Sequence, residues 1–174
     1  TLTRAWAPVV NAALFPWLQN LYPVWARLTP EQLHVATQVA LAELLLSGCT
    51  FAADHHYLFP TQLHDAIDIQ VDAAQALGLR VMLTRGSMSL GQNEGGLPPQ
   101  HTVQQMQVIL DDSQRLVERY HQRGAGAMVN IALAPCSPFS VTRDIMRESA
   151  NMAQSLDVRL HTHLAETLDE EQFC

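Results

Sequence analysis

With 174 residues, 48% of them hydrophobic and only 16% charged, the chain is long enough for one domain with a substantial core and too apolar for a disordered one. Its net charge of −7 and the scatter of its ten basic residues leave no basic stripe, which excludes the electrostatic footprint of a nucleic-acid binder. Three cysteines (Cys49, Cys136, Cys174) in odd count and without CxxC spacing point to a reducing cytoplasm, and no apolar run reaches the roughly 20 residues of a membrane span.

The first 28 residues are rich in Trp, Pro, Leu and Val. Pro8, Pro16 and Pro23 forbid a single unbroken helix. Short helical pieces over the mouth of a site are expected, with at least two of Trp6, Trp17 and Trp25 packed as ordinary core. Thr29-Pro30-Glu31-Gln32 then reads as a capping box, with Pro at the first helical position. That helix continues through Val35, Val39 and Leu41 to stop near Gly48.

From there helices and strands alternate. Cys49 to Ala53 reads as a short buried strand ending at Asp54-His55-His56. Ile67, Val71, Ala74 and Leu77 share one helical face, closed by Gly78. Arg80 to Thr84 is the next strand, followed by a Gly-rich loop from Gly86 to Pro99. Val103, Met106, Ile109, Leu116 and Tyr120 form the stripe of a third long helix. Ala127 to Leu133 is a strand with Pro135-Cys136-Ser137-Pro138 as its exit. Ile145, Ser149, Ala153 and Leu156 mark a fourth helix before a final strand into His161.

Alternation of this kind predicts a parallel sheet covered by helices. Polar residues gather after the strands, where a (β/α) barrel forms its active face. A doubly wound sheet also gathers ligands there, but no GxGxxG follows a strand. Four strands cannot close an eight-stranded barrel. The expectation is an α/β fold, a partial (β/α)8 TIM-type barrel of about four parallel strands in one domain over residues 1–174. Thr1 in place of Met, and Cys174 inside what reads as a new helix, give both ends the look of cuts from a longer protein. Apolar surface left open on such a half barrel would favour association into a homo-oligomer.

The stretch His161-Thr162-His163-Leu164-Ala165-Glu166 closes the last strand and precedes a helix start at Thr167. A neutral imidazole with a carboxylate three residues on suits a metal-activated water and its proton shuttle. His163 is the candidate metal ligand and Glu166 the candidate general acid/base. His161 points the same way as His163, and is a second ligand, a partner positioning the ligand, or a packed barrel residue. His55 and His56 are adjacent, so only one can face a site; a hydrogen-bonded loop role is the expectation for both. Cys136, at a strand exit with no His near it in sequence, reads as a pocket residue rather than a nucleophile.

Taken in order and spacing, Leu83-Thr84-Arg85-Gly86, the loop ending Glu94-Gly95-Gly96, Ala134-Pro135-Cys136-Ser137-Pro138-Phe139 and His163-Leu164-Ala165-Glu166 resemble the amidohydrolase superfamily, in its cytosine/guanine/triazine deaminase branch. Ala52-Ala53-Asp54-His55-His56-Tyr57-Leu58-Phe59-Pro60, Arg85-Gly86-Ser87-Met88-Ser89-Leu90-Gly91 and Leu160 to Glu170 are most similar to the 8-oxoguanine deaminases. The hydroxyatrazine ethylaminohydrolases are the alternative, and a barrel that has lost catalysis is a third reading. The resemblance implies one divalent metal (zinc, with iron the alternative), a small heterocyclic substrate and hydrolysis of a cyclic amidine C–N bond. It implies that His163 ligates the metal, that Glu166 shuttles protons, and that Trp17, Arg85 and Cys136 line the substrate pocket. Cys136 and Leu97 stand where adenosine-type members carry His and Arg, which argues against a thioadenosine-type substrate. The resemblance further implies that the remaining metal ligands lie outside Thr1 to Cys174, so that this segment alone is inactive.

Overall fold

The computed structural model describes residues 1–174, and the order of its elements follows the alternation of the sequence. A 3-10 turn at Ala7–Val9 leads to helix α1 (Leu14–Trp25) and then α2 (Pro30–Leu46). The sheet strands are β1 (Phe51–Ala53), β2 (Arg80–Ser87) and β3 (Val129–Pro135). Helices α3 (Ala66–Leu77) and α4 (Met106–Tyr120) connect them, and α5 (Arg143–Ser155) and α6 (Leu168–Phe173) follow. The N-terminal segment is indeed broken, although α1 itself accommodates Pro16 near its start and Pro23 near its end. The capping box at Thr29 is fully made: its hydroxyl accepts the Gln32 N–H and the Gln32 side chain accepts the Thr29 N–H. No helix is long and apolar enough to cross a membrane.

The three strands pair in parallel in the order β1-β2-β3, with Ala52 beside Val81 and Val81 beside Val129. Residues of one parity, among them Ala52, Val81, Leu83, Ile131 and Leu133, pack under α3 and α4 into the main core. Each such Val, Leu or Ile side chain removed from water contributes about 1.5–3 kcal/mol. The other face is open along the first residues of β1, where Phe51 is exposed, so that strand is half-buried rather than buried. Towards the C-terminal ends both faces are covered. There α1 lays Leu18 and Tyr22 over Leu58, Met88, Cys136 and Phe139.

The expected fourth strand is reduced to a single parallel bridge between Leu160 and Leu133. Leu133 donates its N–H to the Arg159 carbonyl, and His161 donates to the Leu133 carbonyl. The next donor in that ladder would be residue 135, a proline with no N–H, so pairing stops there. The chain resumes one residue out of step, with the His163 N–H on the Cys136 carbonyl. That break turns the segment out of the sheet just where the candidate site residues lie.

Candidate active site

Three strand exits converge. Beyond β1, Asp54 turns towards the helices: its carboxylate accepts the Thr84 N–H at 2.9 Å and the Gln70 side-chain amide at 2.8 Å. Burial pushes its pKa up to about 6, against the pull of those hydrogen bonds. Alternation then sends His55 inward and His56 back into the protein. His56 donates its N–H to Thr84 at 3.0 Å and bonds the Leu58 carbonyl through Nε2 at 2.7 Å. Gly86 makes this crossing possible, because its N–H bonds the His56 carbonyl at 2.9 Å and a Cβ there would drive into that carbonyl.

His55 stacks on His163, with centroids 4.1 Å apart and planes 13° apart, and lies 4.5 Å from the His161 ring. Both of its ring nitrogens are buried without a hydrogen-bond partner. The Ala134 carbonyl lies beside the ring without closing a hydrogen bond, while burial and the neighbouring imidazoles push its pKa down to about 3. It is a neutral ring with lone-pair capacity to spare.

His163 is fixed twice by one residue. Its N–H donates to the Cys136 carbonyl at 2.9 Å, and Nδ1 lies 2.8 Å from the same oxygen. A carbonyl only accepts, so Nδ1 carries the proton and the Nε2 lone pair is free for a metal. His55, Cys136 and His163 place their donor atoms within 4.8 Å of one another. An orphaned buried imidazole and a His held in the ligating tautomer fit a divalent cation. The Cys136 thiol is a poorer donor, because burial pushes its pKa up to about 12 and Glu166 adds to the rise, with Ser140 and Ser137 opposing. That same protonation leaves it unsuited to act as a nucleophile.

Glu166 completes the wall of a cavity of about 260 Å³ lined by Leu14, Trp17, Tyr22, Tyr57, Cys136, Phe139 and His163 among others. Trp17 stands edge-on to Trp25 at 5.3 Å and so is braced within the wall. Burial, with Cys136 and Glu166 close by, holds the phenols of Tyr22 and Tyr57 far above their ordinary pKa. The cavity therefore offers neutral donors, aromatic faces and one carboxylate, with no cationic side chain. Leu97 packs against this same cluster, where an Arg would have brought a positive charge.

Sequence reasoning thus has His163, Glu166, Trp17 and Cys136 together, with His161 beside them against His55. Arg85 is a correction. Its parity is that of Val81 and Leu83, so it points under the helices, 1% exposed, over the Phe59 ring at 3.8 Å. It donates to Asp112 at 2.6 Å and Gln104 at 2.9 Å, and burial brings its pKa down to about 10. It borders a larger, outward cavity of about 500 Å³ in which Asp68, Asp112, Arg85 and Arg115 are joined by ion pairs. His55, Tyr22 and Tyr57 are the residues that sequence reasoning missed.

This combination places parallel βα units with a histidine, a carboxylate and an orphaned imidazole at the strand exits, the class of a partial (β/α) barrel with a candidate metal site. Residues 6–173 match the Amidohydrolase family, and the chain belongs to it. It is 74% identical over 174 residues to an 8-oxoguanine deaminase of Pseudomonas aeruginosa (strain PAO1), covering 100% of this chain and 39% of that protein. It is 38% identical over 151 residues to a hydroxydechloroatrazine ethylaminohydrolase of Pseudomonas sp. (strain ADP), covering 86% of this chain and 31% of the relative. Among solved structures, an atrazine chlorohydrolase of Arthrobacter aurescens TC1 complexed with zinc superposes with a TM-score of 0.89 at 32% identity, over 96% of this chain and 38% of that one. The chain thus corresponds to part of such a barrel and spans less than two-fifths of the length of these relatives.

Proposed function

We propose that the chain forms part of a metal-dependent aminohydrolase that converts 8-oxoguanine and water to urate and ammonia. The observation that carries this reading is Glu166 on the wall of the same cavity as a His163 whose Nδ1 is held by the Cys136 carbonyl, leaving Nε2 free to ligate. The 74% identity to an 8-oxoguanine deaminase supports the purine over the triazine.

A divalent cation at Nε2 of His163 would polarise the substrate and lower the pKa of water, and zinc is favoured over iron by the zinc-bound relative. His55 and Cys136 are the neighbouring donors, and further ligands would come from outside this chain. Glu166 accepts a proton from the attacking water as the new C–O bond forms at the amino-bearing carbon. It delivers that proton to the ring nitrogen, then takes the second proton from the newly added hydroxyl and passes it to the leaving amine as the carbonyl forms and the C–N bond breaks. Trp17 and Phe139 pack on the flat heterocycle, and the protonated phenols of Tyr22 and Tyr57 suit its carbonyl oxygens. The absence of a cation from the wall favours a free base over a phosphorylated nucleotide. Three free cysteines suit a cytoplasmic setting.

In the full-length, metal-loaded protein, Glu166→Gln is expected to lower kcat by roughly 10²–10⁴-fold while the metal content stays at the parent level. His163→Ala is expected to lose metal and turnover together. A Glu166→Gln enzyme with unimpaired turnover would defeat the proton-shuttle role and favour the non-catalytic barrel.

A further inference from the structure

We propose that Glu170 is a positioning residue for Glu166, acting through the backbone turn that delivers it. The inference rests on the reading of Glu166 as the proton shuttle. Thr167 opens α6, and its hydroxyl accepts the Glu170 N–H at 3.4 Å. A Thr-x-x-Glu capping box would return the glutamate carboxylate to the Thr167 N–H. Here the carboxylate reaches past it. One oxygen accepts the Ala165 N–H at 3.0 Å and the other accepts the Glu166 N–H at 2.7 Å.

Two further features make this more than a helix cap. Glu170 is 3% exposed in a segment where Leu164 and Leu168 are 70% and 73% exposed, so a carboxylate is buried where the apolar residues are not. Ala165 also has a φ of 58°, a left-handed conformation that a residue with a Cβ seldom adopts unaided. Successive N–H groups in such a turn converge on one anion, and charge-assisted hydrogen bonds of this kind outweigh the strain of the left-handed residue. Remove the carboxylate and Ala165 is free to relax to a negative φ, swinging the Glu166 side chain away from the reacting carbon. His163 would stay in place, because both of its anchors belong to Cys136.

The test measures kcat, KM, bound metal and Tm for full-length, metal-loaded variants, with Glu166→Gln as the control. Glu170→Ala is expected to lower kcat about 10- to 100-fold, with KM and metal content within about twofold of the parent, a separation that simple loss of stability does not give. Glu170→Gln, which keeps one acceptor oxygen, should fall between the two and serves if the alanine variant folds poorly. Adding Ala165→Gly to Glu170→Ala should recover part of kcat, since glycine takes the left-handed turn without help. An unchanged kcat per metal-loaded molecule, or a fall in KM or metal content equal to that in kcat, would overturn the proposal. If Glu166→Gln itself turns over normally, the reading of Glu166 fails instead; if it is inactive while both Glu170 variants are fully active, the Glu170 inference alone fails.

Discussion

A histidine at a strand exit is defined by what its two nitrogens touch. His163 has one nitrogen committed to a carbonyl and one free, His56 is bonded back into its own loop, and His55 has neither nitrogen satisfied. Spacing to a carboxylate made His163 and Glu166 legible in the sequence. His55 was not legible, because Phe51-Ala52-Ala53 does not alternate in polarity and gives no clue to which of two adjacent histidines faces inward. Arg85 could have been placed correctly, since it continues the Val81, Leu83 parity. Removing it as Arg85→Ala is expected to destabilise the fold by about 3 kcal/mol, the lower end for breaking a buried ion pair because Asp112 keeps Arg115, with little change in KM. Denaturant titration together with KM checks both halves. Gly86→Ala, which forces β2 away from the His56 carbonyl, should cost roughly 1–3 kcal/mol in the same titration.

The elements were legible wherever a helix had both a period and a cap. Thr29 and Gly78 bound their helices as the sequence implies, the latter in a left-handed C-terminal cap with φ 68°. The fourth strand was not legible as a broken one, because its interruption depends on Pro135 meeting it across the sheet, a pairing no local pattern records. The same holds for the seam of α3 and α4. Asp68 there accepts from Arg115, Arg119 and the Tyr120 hydroxyl, with Asp65, Asp72, Asp112, His64 and Arg85 the other charged or titratable groups around it. Burial alone would raise its carboxyl, but the hydrogen bonds from Arg115 and Tyr120 outweigh it and hold the pKa below the ordinary value. A depressed carboxyl contributes stability that is present above the unfolded-state pKa and is lost as pH falls through the folded value. Asp68→Asn is therefore expected to lower stability at pH 7 by roughly 1 kcal/mol and to flatten the loss of stability below about pH 4. Equal acid slopes for the two proteins, followed by far-UV circular dichroism, would show that Asp68 does not couple to pH.

At the scale of the molecule, a helical layer covers one face of the sheet, while Phe51, Leu160 and Leu164 are exposed at its margins and beyond. The chain spans 39% of a related deaminase, and exposed apolar margins of this kind would suit packing against further barrel elements or a second copy. Residues 1–174 produced alone are expected to bind metal weakly and to release no ammonia from 8-oxoguanine, because a single well-held imidazole does not make a catalytic site. The fold class was legible from the alternation alone; the proposed substrate rests on resemblance, since aromatic faces and neutral donors do not by themselves separate a triazine from a purine. Product analysis separates the two. The full-length, metal-loaded protein should release urate and ammonia from 8-oxoguanine, followed by the absorbance of urate, at a rate well above its release of ethylamine from an N-ethyl hydroxytriazine. Ethylamine release without urate formation would contradict the account.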